Sequence, residues 1–129
     1  MHARRAQAAL PLLLASAVGG CALAAGAAGA GAAIAYTERG ASSETAATVS
    51  EVTSATEAAF DDLGITVTER EVEADAEVEI EGRRGDTEVA VEIDRRNGLT
   101  AIEIIAKEGV VQYDREYAHM VLERILSRL

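Results

Sequence analysis

Residues 87–107 read TEVAVEIDRRNGLTAIEIIAK. Val89, Val91 and Ile93 alternate with Glu88, Ala90, Glu92 and Asp94, which is the period of a half-buried strand. Asn97-Gly98 follows, a pair suited to a two-residue hairpin turn because both turn positions need positive φ. With that pair at the centre, Arg96 faces Leu99, Ile93 faces Ile102 and Val91 faces Ile104 on one side. Glu92 then faces Glu103 and Glu88 faces Lys107 on the other. A slip by one residue would bury the glutamates, so turn chemistry and apolar pattern select one register.

Working outward, AEVEIE at 76–81 sets Ala76, Val78 and Ile80 against Glu77, Glu79 and Glu81, and ITVTEREVE at 65–73 is a further strand. Reading 82–87 as the connection pairs Ile80 with Val89 and Val78 with Val91. Upstream, TVSE at 48–51 is a capping box, in which Thr48 and Glu51 satisfy each other's backbone amides. Val49, Val52, Thr56, Ala59, Phe60 and Leu63 share one helical face, and Gly64 ends the helix over 49–63. At the other end Asp114 caps a helix whose buried stripe is Tyr117, Val121, Leu122, Ile125 and Leu129. The expected fold class is α+β, in the order α-β-β-β-β-α. A four-stranded antiparallel meander is covered on one face by two helices, because a sheet with one apolar face needs a cover.

The 129 residues carry a formal net charge of -10 and only 3% aromatics. That argues against a nucleic-acid partner, which needs a basic patch. The N-terminus has Arg4 and Arg5, an apolar run over 8–18, then small residues Gly19 and Gly20 before Cys21, the single cysteine. This is the layout of a cleaved leader. VGGC resembles the bacterial lipobox, which implies cleavage between Gly20 and Cys21 and acylation of the Cys21 thiol. Two or three acyl chains anchor stably where one does not. The alternatives are an uncleaved membrane helix over about 6–36, weakened by Pro11 and the Gly/Ala content after Cys21, and ordinary secretion. The expected organisation is a signal peptide at 1–20, a lipid-anchored Gly/Ala-rich spacer at 21–47, its last part (40–47) a small polar linker, and a folded domain at 48–129.

The lipobox, the spacer, EVTSATEAAFDDLGITVTE at 51–69, the acidic strands and ERILSRL at 123–129 together resemble a family of short bacterial lipoproteins of unknown function. Thr53 stands where that family often carries tryptophan. The resemblance implies no catalytic residues.

Glu77, Glu79, Glu81, Glu88, Glu92, Asp94 and Glu103 are expected to share the open face of the sheet. A flat carboxylate face solubilises and discourages edge-to-edge pairing; it also offers a surface for a partner. Calcium is better served by a folded loop that converges several oxygens. Arg83, Arg84, Arg95 and Arg96 fall in turns at opposite ends of the meander. His119 has no second histidine outside the leader, so no zinc site and no metal is expected. The serines lack a nucleophile elbow, and 82–85 is too short for a phosphate loop. The expectation is therefore no enzyme and no cofactor. The protein reads as an envelope lipoprotein that faces the periplasm from the outer membrane, since Ala22 rather than aspartate follows the cysteine. It is held by acyl chains on Cys21 and binds an envelope protein. A cation-dependent accessory protein or small enzyme using the acidic face is the other reading.

Overall fold

A computed structural model describes residues 32–129 except Asp75 and Val111. Gly20, Cys21 and the leader lie outside the described residues.

The hairpin that anchors the fold is β5 (Thr87–Arg96) with β6 (Leu99–Glu108). Asn97 at φ 52° and Gly98 at φ 79° form its turn. Its register is the one the sequence selects: Arg96 opposite Leu99, Ile93 opposite Ile102, Val91 opposite Ile104, Glu92 opposite Glu103 and Glu88 opposite Lys107. β4 (Glu77–Arg84) pairs with β5, and β3 (Thr66–Glu73) pairs with β4, all antiparallel.

Two expectations are corrected. The β4–β5 connection is a two-residue turn at Gly85-Asp86, because Arg84 pairs with Thr87. Ile80 therefore faces Val91 and Val78 faces Ile93, two residues away from the expected partners. An even slip leaves every side chain on its face, so the core composition is unchanged. The second correction is at 40–47. This stretch is not a linker: β2 (Gly40–Thr45) pairs along β6 from Gly40 opposite Ile105 to Thr45 opposite Thr100. A short β1 (Ala35–Tyr36) pairs in turn with β2, so the helical alternative does not extend to Tyr36. With β7 (Gln112–Tyr113) on β6, the sheet has seven strands, and its main order is β1-β2-β6-β5-β4-β3.

Helices α1 (Val49–Leu63) and α2 (Arg115–Ser127) cover one face. α1 carries the chain from β2 across to β3, at the opposite edge. Its capping box is formed, with Thr48 Oγ1 accepting from Glu51 N at 3.1 Å and Glu51 Oε2 accepting from Thr48 N at 3.0 Å. α2 begins where Asp114 Oδ1 accepts from Tyr117 N at 2.9 Å. α2 lies against β2 and β6, α1 against β3 to β5, and the helices touch each other. Asp62 of α1 pairs with Arg124 of α2 and with Arg128, the residue that caps its C-terminus. The buried stripe of α2 is Ala118, Val121, Leu122, Ile125 and Leu126; Tyr117 and Leu129 pack at its margin. Beneath the helices Ile80, Val91 and Ile104 run in line across three strands, each fully buried. Each such side chain contributes about 2 kcal/mol relative to exposure.

β2 reaches this core with small and polar groups. Ala41, Ser43 and Thr45 are buried. Ser43 Oγ donates to Ala33 O at 2.8 Å, and Thr45 Oγ1 accepts from Ala47 N at 3.2 Å. Thr100 Oγ1 donates to Ala47 O at 2.5 Å. These bonds satisfy groups that burial would otherwise penalise.

Candidate functional site

The face away from the helices is built by the second half of each alternation. Cross-strand pairing aligns its carboxylates into rows. One row runs Glu71, Glu79, Glu92, Glu103 and ends at Ser42 on β2. The next runs Glu73, Glu77, Asp94, Ala101, Glu44. On the other side of the first row stand Glu69, Glu81, Ala90 and Ile105. Adjacent strands are about 4.8 Å apart, so four glutamates form a nearly straight line of negative charge.

Six of the seven carboxylates expected on this face are brought together in these rows. Glu88 is not; it lies at one end with Lys107 opposite and an ion pair to Arg83. At the other end Arg96 Nε donates to Asp94 Oδ2 at 2.6 Å. Arg83 and Arg96 thus stand towards the two ends of the sheet; Arg96 also borders the hollow beside Glu92 and Glu103 and feels the Glu103 charge, but among the described residues none of the four glutamates of the Glu71–Glu103 row is in an ion pair. Burial first, then Glu92, Glu81, Glu71 and Glu69 in turn, hold the Glu79 carboxyl above its ordinary value. Sequence reasoning missed Glu69, Glu71, Glu73 and Glu44. The three on β3 follow the same alternation in TEREVE and could have been found by extending the face to the first strand. Glu44 could not, because its stretch reads as a linker.

Two shallow hollows flank the rows. One, of about 500 Å³, is bordered by Ala32, Ala35, Leu99 and Ala101 beside Glu92 and Glu103. The other, of about 420 Å³, gathers Arg39, Arg83, Lys107 and Tyr113 with Glu81 and Glu88. Among the described residues no group of three or more His, Cys, Asp or Glu is placed to hold a metal ion. His119 serves another contact. Its ring stacks on Tyr36 with centroids 4.9 Å apart, and the Tyr36 hydroxyl donates to Glu116 Oε2 at 3.2 Å. The Arg115 guanidinium lies 5.3 Å from the same tyrosine ring.

Residues 6–125 match the model of a family described as proteins of unknown function, DUF3568. The chain belongs to this family. The DUF3568 match takes in all seven strands and α2 as far as Ile125, together with most of the stretch that precedes Ala32. No curated protein matches the chain. Among the described residues no helix is long and apolar enough to cross a membrane, which says nothing of strands.

Proposed function

We propose that this DUF3568 protein is a lipid-anchored protein of the bacterial cell envelope, with Cys21 as the acylated residue and the acidic sheet face as a non-catalytic docking surface for a partner protein. The reading of the anchor rests on the small residues Gly19 and Gly20 before the single cysteine. The reading of the face rests on one observation: a row of four glutamates, Glu71, Glu79, Glu92 and Glu103, none of them in an ion pair among the described residues. Charge of one sign on a flat surface favours a partner of the other sign and speeds encounter with it. The anchor would stand in the outer membrane with the domain in the periplasm, because Ala22 follows the cysteine.

Intact mass of the membrane-extracted protein tests the anchor. The expected mass is that of the chain from Cys21 plus acyl chains; a mass starting at Met1 or His2 overturns it. Charge reversal at Glu79, Glu92 and Glu103 tests the face. Loss of envelope cross-links supports docking there, and an unchanged cross-linking pattern overturns it.

A further inference from the structure

The two edges of the sheet differ. On the β1 side, β2 is partly covered by Ala35-Tyr36, and Tyr36 is fixed to α2. On the other side β3 ends the sheet, and all eight of its residues are exposed. Every second residue of an edge strand turns its N–H and C=O outward, which is a template for another strand; on β3 this runs without interruption over Glu69–Glu73, since the register shifts between Val67 and Glu69. The side chains add a pattern. Glu69, Glu71 and Glu73 stand on the open face, opposite Glu81, Glu79 and Glu77. Val67 and Val72 stand on the helix side, opposite Gly82 and Val78, and are 43% and 59% exposed. Arg70 is taken up by Glu57 of α1 at 2.7 Å.

A second copy of the same strand does not fit this edge. Antiparallel pairing about a two-fold normal to the sheet keeps each residue on its own face. Centred on Glu69 or Glu71, it sets that glutamate against its own copy. Centred on Arg70, it sets Glu69 against Glu71 twice and arginine against arginine. Like charges directly opposite destabilise a strand pair. The fitting occupant has the opposite charge on one face and an apolar other face.

We propose that the outer edge of β3 is a strand-addition site for an extended segment of a partner protein, one that alternates lysine or arginine with aliphatic residues. Main-chain hydrogen bonds supply the pairing, and the alternate side chains supply selection. The basic side chains continue the Glu71–Glu103 row by one more strand, and the aliphatic ones cover Val67 and Val72. β3 is also five strand spacings, about 24 Å, from β1, where the described chain begins. The inference rests on reading the domain as a binding module, and it names the edge and the chemistry of the partner.

The test uses the full-length protein in uncharged detergent micelles at physiological ionic strength. One labelled probe peptide of about eight residues, the length of a common strand, alternates lysine and valine. A second carries the same lysines with proline in place of valine, and so lacks amide donors at those positions. The expected result is that the valine probe binds about tenfold more tightly than the proline probe. It also slows amide exchange at alternate residues of β3. Glu71→Lys, at an exposed position, is expected to weaken that binding about tenfold. Equal binding of the two probes, with β3 exchange unchanged, overturns strand addition while leaving the acidic face as a docking surface. Absence of binding by either probe overturns both readings.

Discussion

One step along each strand separates two opposite surfaces. Ile80, Val91 and Ile104 make a dry line under the helices. Their neighbours Glu79, Glu92 and Glu103 make a charged line on the other side. The two lines share the same backbone hydrogen bonds, so the contrast isolates what side chains add. The apolar line holds the sheet to its helices. The acidic line opposes the folded state, since each central glutamate has another directly across the strand. A face that lowers stability yet recurs across four strands is a feature of the surface, not of the core.

The contrast is broken most strongly from the apolar side. Gly40 sits so close to β6 that a Cβ there would stand 1.8 Å from Ile104 O. Gly40→Ala is expected to lower stability by about 3 kcal/mol, the upper end for overpacking, and to expose β2 to amide exchange. Ile104→Ala, which opens a cavity under the helices, is expected to lose a similar amount, about 3 kcal/mol, read as a fall in the urea midpoint. From the acidic side the sign reverses. Glu79→Gln is expected to raise stability at pH 7 by about 0.5 kcal/mol, and added salt is expected to shrink that gain by screening.

Acidity sharpens the same comparison. The raised Glu79 carboxyl binds its proton more tightly in the folded state than in the unfolded chain. Its contribution is therefore full below the ordinary value of 4.5 and is lost as pH rises through the higher folded value. Asp62 behaves oppositely. The Arg128 hydrogen bond, aided by the charges of Arg128 and Arg124, outweighs burial and holds it below 3.8. Its contribution is present above 3.8 and is lost as pH falls through the folded value. Urea midpoints measured from pH 7 down to about 3 should rise and then fall. Glu79→Gln should flatten the rise, and Asp62→Asn should flatten the fall.

The legible parts of the fold were those with two agreeing signals. The β5–β6 hairpin has both a turn pair that takes positive φ and an apolar alternation, and its register followed residue by residue. β4–β5 has the alternation, but Gly82, Arg83 and Arg84 resemble a loop. The faces were right there and the register was off by two. GASSET has neither signal. Its buried positions are Gly40, Ala41, Ser43 and Thr45, small because β6 and α2 pack close, with Ser43 and Thr45 bonded to a neighbouring oxygen and amide. Hydropathy cannot see such a strand. The acidic face was legible wherever glutamates alternate with Val or Ile. Its extension onto β2 was hidden with the strand itself.

Tyr36 has a mechanical consequence. It stands between the first described residues and β2, stacked on His119 and bonded to Glu116. A pull on the N-terminal end meets this clasp before it reaches the long β2–β6 pairing. Two residue pairs of β1 and one aromatic stack yield first, in the manner of a zipper with a button at its end. A pulling experiment from that end is expected to show the loss of β1 as a separate, lower-force step before β2 leaves the sheet.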